Sequence, residues 1–206
     1  MRMDIANEPT TGAVQRVAPL IAIGASAGGP AALAQLLSGV PTTFPAAIVV
    51  VQHVDAPFAL CMAGWLREPS ALPVRVAEEG DRPEGGCVLL ASTSHHLTLK
   101  TADRLGYTAD PVVCAYRPSV DVFFYSVCRL WSGPAVGVLL TGMGRDGAAG
   151  LKALRNKGCH TIAQDQASSA VYGMPKAAAA LDAAVDILAI DQIAPRLVDF
   201  VARLHR

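Results

Sequence analysis

The sequence predicts an α/β fold: a doubly wound, mostly parallel sheet in three layers, with an antiparallel hairpin at its edge. Three observations predict it. From Leu20 onward, apolar runs alternate with helical patterns, the order expected of parallel strands joined by crossover helices. The chain is 52% hydrophobic yet only 5% aromatic, which suits aliphatic strands buried on both faces better than an antiparallel sandwich. The first apolar run feeds at once into a glycine-rich turn and a helix, in "IAIGASAGGPAAL", residues 21–33.

Taken in order, residues 1–17, "MRMDIANEPTTGAVQRV", read as a disordered polar tail, and 18–206 as one domain. Strands are expected at 20–23, 48–52, 88–91, 136–140, 161–163 and 185–189, each an apolar run. Helices are expected at 30–37, 57–66, 120–130, 148–157, 175–181 and 192–204. Pro30 suits a first helical position, where its missing N–H costs nothing. Ser119, after Pro118, suits the N-cap of the third helix. The last helix carries Leu197, Phe200, Val201 and Leu204 at helical spacing, a core-facing stripe. "EGGCVLLASTSHHLTLK" departs from the alternation, since its two short strand patterns lie close enough to form the edge hairpin. The acidic "EEGD" near residue 80 reads as a solvated turn.

Composition narrows the function. Seventeen basic residues balance seventeen acidic ones, so charge gives no case for nucleic acid as a partner. The tail has no apolar core of the kind a secretory signal needs, and no stretch approaches the roughly 20 apolar residues of a membrane span. The five cysteines, Cys61, Cys87, Cys114, Cys128 and Cys159, are odd in number and scattered. They make neither a metal signature nor a disulfide framework. The expectation is a soluble cytoplasmic protein with reduced thiols and no metal or cofactor.

Chemistry in an open parallel sheet collects beyond the carboxyl ends of the strands, and Ser26 lies just past one such end. The amides of Ala27, Gly28 and Gly29 begin a helix there, a place suited to an anion or a developing oxyanion. The dinucleotide fingerprint Gly-x-Gly-x-x-Gly fails, because Ser26 stands at its second glycine. Gly24-x-Ser26-x-Gly28 does fit a nucleophile elbow, although α/β-hydrolases place that elbow farther along the sheet. From this stretch alone, a nucleophile and a plain packing turn explain the residues equally.

A serine nucleophile needs a base and a group to orient the base. His53 follows "IVVVQ", another strand end, and so shares the rim with Ser26. His160 begins a strand on the opposite rim, His205 is in the terminal tail, and His95 and His96 are adjacent on a strand and face opposite ways. "VGVLLTGMGRDGAAG" brings a third strand end with Asp146 ahead of a helix, where a helix N-cap is the plain alternative. Gly142, Gly144 and Gly147 around Met143 give that loop more backbone freedom than a cap requires.

With these residues assembled, the chain closely resembles the catalytic domain of the chemotaxis protein-glutamate methylesterase family, CheB. The matching stretches are "IAIGASAGGP", "VVVQH", "YRPSVDVFF", "LLTGMGRDGAAG" and "TIAQDQASSAVYGMPKAA", in the family's order from about residue 19 to 181. The resemblance implies hydrolysis of glutamyl methyl esters on chemoreceptor helices, with release of methanol, and deamidation of receptor glutamines. It implies Ser26 as nucleophile, His53 as base and Asp146 as the residue orienting it. The amides of Met143 and Ala27 would face the oxyanion. Apart from the resemblance, "AYRPSVDVFFYS" reads either as a plain helix start capped by Ser119 or as that start with Tyr116 or Arg117 lining the substrate cleft. Many relatives carry threonine where this chain has Ala27. The family also begins with a phosphorylatable receiver domain, which the 17-residue tail cannot hold, so a stand-alone esterase or an excised domain is expected. Two alternatives are a catalytically idle docking module on this fold and the same esterase in a non-flagellar chemosensory pathway.

Overall fold

The structure is a computed structural model describing residues 17–92 and 94–204. The tail before Val17 and His205 lie outside the described residues. The elements are β1 (Leu20–Ala25), α1 (Gly29–Ser38), β2 (Ala47–Gln52), α2 (Ala56–Leu66), β3 (Val74–Val76), β4 (Val88–Leu90), β5 (His96–Leu99) and β6 (Leu105–Thr108). They continue with α3 (Val120–Leu130), β7 (Ala135–Leu139), α4 (Ala148–Asn156), β8 (His160–Gln164), α5 (Met174–Ala180), β9 (Asp186–Leu188) and α6 (Ile190–Leu204).

Seven strands pair in the order β3-β4-β2-β1-β7-β8-β9, and all their pairings are parallel. This is the doubly wound, Rossmann-like arrangement that the alternation predicts. The chain winds outward from β1 through β2 to β4 and β3, then returns to β7 and winds the other way. The order therefore reverses between β1 and β7, and the crevice beyond their carboxyl ends is the switch point of the fold.

Every residue of β1, β2 and β7 is buried, which explains why these strands read as unbroken apolar runs. The pleat sends Ile21, Ile23 and Ala25 into one layer with Leu33, Leu36, Leu66 and Leu197. It sends Leu20 and Ala22 into the other, with Phe123, Phe124, Leu151 and Met174. Of the stripe expected on α6, Leu197 and Val201 are buried, whereas Leu204 is 36% exposed at the end of the helix.

The hairpin exists, but between different strands. Val88–Leu90 joins the parallel sheet between β2 and β3, and the antiparallel pair is β5 with β6, from His96↔Thr108 to Leu99↔Leu105. It forms a separate two-stranded sheet that packs on α3, where the Ser126 hydroxyl accepts the Leu99 N–H at 2.9 Å. The acidic turn is also more than solvated. Asp81 holds Arg75 through two hydrogen bonds, and Glu79 accepts the Tyr107 N–H of β6 at 2.7 Å. β3, only three residues long, has no counterpart in the sequence pattern.

Candidate active site

Ser26 follows β1 directly, half-buried. Its N–H donates to the Thr141 carbonyl at 3.0 Å, and its own carbonyl accepts the Gly29 N–H at 2.8 Å. The turn needs its glycines. Gly28, the N-cap of α1, has φ 77°, a left-handed conformation that favours glycine, and a Cβ there would lie 2.6 Å from Ala170 Cβ. A Cβ on Gly29 would overlap the Gln52 amide. Close packing accounts for the glycines but not for the hydroxyl.

His53 follows β2 and is anchored by its own N–H to the Ala25 carbonyl at 3.0 Å. Its side chain is 7% exposed, with Nε2 2.8 Å from Asp146 Oδ2. The Tyr116 ring stacks on the imidazole, centroids 4.3 Å apart and planes within 9°. An ionised carboxylate only accepts, so Nε2 carries the hydrogen and Nδ1 of the neutral ring carries the lone pair. Nδ1 is buried and has no hydrogen-bond partner among the described residues.

Asp146 does cap a helix, though not the one it precedes. The N-cap of α4 is Gly147, at φ 86°. The Asp146 carboxylate instead sits at the N-terminus of α3. There Oδ2 accepts the Val120 N–H at 2.7 Å, and Oδ1 accepts the Asp121 N–H at 3.1 Å and the Ser119 hydroxyl at 2.8 Å. Burial alone would raise its pKa. The hydrogen bonds from His53, Val120, Ser119 and Asp121 outweigh burial and hold the carboxyl below the usual carboxylate range. Its neighbour Asp121 goes the other way: burial, with a further push from the Asp146 charge, raises its carboxyl to about 6.

The loop 141–147 binds the rim together. The Thr141 hydroxyl donates to the Ala27 carbonyl at 2.9 Å and accepts the Val171 N–H at 2.9 Å, while Gln164 Oε1 accepts the Thr141 N–H at 2.8 Å. The motif "TIAQDQASSAVYGMPKAA" thus holds the Asp146 loop against the serine turn. Met143 is 67% exposed on this loop. No acceptor among the described residues takes the N–H of Met143 or of Ala27. Arg117 turns its guanidinium to the Val112 carbonyl on its own loop.

Sequence reasoning did not find Gln52. It is 2% exposed, and its side-chain amide donates one hydrogen to the Ser26 carbonyl at 2.9 Å and the other to the His53 carbonyl at 3.1 Å. The one available signal was a glutamine closing the otherwise apolar run "IVVVQ". Outside the rim, His160 begins β8 and pairs with Asp186 at 2.8 Å, far from these groups in the topology. All five cysteines are unpaired, and no helix is long and apolar enough to cross a membrane among the described residues.

A family model for the CheB methylesterase matches residues 21–197. A protein-glutamate methylesterase/protein-glutamine glutaminase of Pseudomonas savastanoi is 67% identical over 180 residues, covering 87% of this chain and 54% of that protein. Its counterpart from the group 3 operon of Pseudomonas putida is 65% identical over 184 residues, covering 89% and 55%. The chain thus spans about half the length of the curated relatives it matches. The crystal structure of the Thermotoga maritima CheB methylesterase catalytic domain superimposes with a TM-score of 0.86 at 32% identity, covering 89% of this chain and 99% of that one. From residue 21 to 197 this chain belongs to the CheB methylesterase family.

Proposed function

We propose that this domain is a serine hydrolase that removes methyl esters from glutamyl side chains of chemoreceptor helices and deamidates glutamines at such sites. The observation that carries the reading is the 2.8 Å contact between His53 Nε2 and Asp146, which leaves a buried lone pair on Nδ1 at the rim that holds Ser26. In this reading Ser26 Oγ attacks the ester carbonyl while Nδ1 takes its proton. This reverses the ring edges of the serine-protease triad, where Nδ1 faces the aspartate. The oxyanion is met by the free N–H groups of Ala27 and Met143 near the start of α1. The proton then passes to the departing oxygen, giving methanol, and water repeats the cycle on the acyl-serine. With a glutamine substrate, ammonia leaves instead.

Asp146 keeps the imidazole in the productive tautomer and stabilises its charged form. Its lowered pKa keeps it ionised throughout the neutral range. Tyr116 packs against the flat face of the ring and limits its tilt. The exposed Met143 and Tyr116 give the rim an open apolar border, suited to a substrate carried on a protein surface. Residues 18–206 form the catalytic unit of this proposal.

The test is methanol release from methylated receptor membranes, together with intact-mass labelling by a fluorophosphonate. Wild-type protein should gain one phosphonyl adduct on Ser26. Ser26→Ala should fold normally, take no label and lose roughly 10⁴- to 10⁶-fold in turnover. More than a few per cent of wild-type turnover in that variant overturns the serine mechanism.

A further inference from the structure

Behind Asp146 lies a second histidine with no assigned role. His96, on β5, is fully buried. Its Nδ1 accepts the Ser119 N–H at 3.0 Å, and its Nε2 lies 3.2 Å from the Pro111 carbonyl. A backbone N–H can only donate and a carbonyl can only accept, so both nitrogens are assigned: Nδ1 bears the lone pair and Nε2 the hydrogen. Protonation would set a ring N–H against the Ser119 N–H. Burial lowers the pKa of the ring and keeps it neutral.

We propose that His96 is a positioning residue of the hydrolase reaction: it seats Ser119 and, through Ser119, fixes the carboxylate of Asp146. The proposal rests on the reading of Ser26, His53 and Asp146 as a triad. The Ser119 hydroxyl donates to Asp146 Oδ1 at 2.8 Å and accepts the Val122 N–H at 3.3 Å, so both its functions are used. Its backbone N–H points away from the helix and has His96 as its partner. Without that acceptor a buried N–H is left unpaired, and relieving it moves Ser119 and the oxygen bound to it. The Nε2 bond to Pro111 holds the far end of the same loop, which carries Tyr116 onto the His53 ring. One imidazole therefore ties both ends of the segment that packs around the catalytic histidine and carboxylate. A misplaced orienting group acts on the transition state far more than on substrate binding.

Two substitutions separate the two ring nitrogens. In His96→Asn the side-chain oxygen replaces Nδ1 as acceptor for Ser119; in His96→Gln the side-chain amide replaces Nε2 as donor to Pro111. The proposal expects kcat for methanol release to be at least tenfold higher in His96→Asn than in His96→Gln, with KM values within about twofold. Ser119→Ala should reproduce the fall seen in His96→Gln, and the double variant should fall no further, because both act through one bond. Equal kcat values in the two His96 variants, or additive losses in the double variant, overturn the proposal. Circular dichroism establishes folding. If His96→Gln does not fold, a folded His96→Asn that has lost more than tenfold in kcat overturns the proposal, and one that has lost less supports it. Ser26→Ala, measured alongside, keeps the two readings apart. Full turnover there overturns the triad, whereas turnover lost there but equal in the His96 variants overturns only the role of His96.

Discussion

Asp146 and Asp121 cap each other's helices. Asp146, in the loop ahead of α4, accepts the first two backbone N–H groups of α3, while Asp121, in the first turn of α3, accepts the Gly150 N–H of α4 at 2.6 Å. Each carboxylate thereby satisfies donors that its partner helix cannot satisfy internally. The exchange joins the two N-termini at the rim and leaves two acidic groups close together. For the proposed reaction this matters, because the carboxylate bonded to His53 belongs to a rigid junction of two helices, although it lies on a glycine-rich loop.

Asp146→Asn should therefore do more harm than a change at an ordinary cap. Asparagine caps about as well as aspartate where only one oxygen is used, but here both are in use. Oδ1 accepts from Ser119 and Asp121, and Oδ2 from His53 and Val120. Either orientation of the amide sets its NH₂ against a backbone N–H. The expected loss is on the order of 2–3 kcal/mol in stability and about 10⁴-fold in turnover. Denaturant melts and methanol release measure the two. An unchanged melt would show that one carboxylate oxygen suffices.

Asp121→Asn should stabilise the protein, and only at higher pH. The folded-state pKa of Asp121 is about 6, against 3.8 for the free side chain, chiefly through burial. Between those values the folded protein holds a proton that the unfolded chain has lost, so the group costs stability as pH rises through this window. The cost is complete above about pH 6 and absent below about pH 4. Asparagine keeps an oxygen for the Gly150 N–H and removes the charge beside Asp146. The Tm difference between variant and wild type should be small near pH 4, grow toward pH 6 and then level off. A difference independent of pH contradicts the assignment.

The sheet was legible in the sequence because strands such as Ile21–Ile23 and Val49–Val51 are buried on both faces and read as apolar runs. Ser26, His53 and Asp146 stand out as candidates for the same reason, as polar residues standing where such runs stop. What the sequence hid depends on partners far along the chain. Asp146 meets Val120 from 26 residues away, and no local pattern distinguishes capping its own helix from capping α3. Gln52 carries no mark of the two carbonyls it bridges, and His96 sits in a four-residue strand too short for periodicity to show which face is buried. The hairpin was misplaced because Val88–Leu90 is as apolar as its neighbours on β2, and only tertiary packing decides that it extends the parallel sheet.

Gly142 lets the Asp146 loop lie against the serine turn. A Cβ at this position would come within 2.8 Å of Ser26 Cβ and would overlap the Met174 sulfur. The thioether can swing aside, since methionine adapts to irregular space. Ser26 Cβ cannot, because its backbone is held to Thr141 and Gly29. Gly142→Ala should therefore displace Ser26, the proposed nucleophile, relative to His53 and lower kcat about 10²-fold, with an overpacking cost of roughly 1–3 kcal/mol. Gly39→Ala provides the control. Its Cβ would meet Ala194 Cβ at 2.8 Å, a comparable clash between α1 and α6 on the helical layer behind the sheet. Both variants should melt earlier than wild type by similar amounts, and only Gly142→Ala should lose turnover. Equal turnover in the two would mean that the loop yields to the added methyl group and Ser26 stays in place.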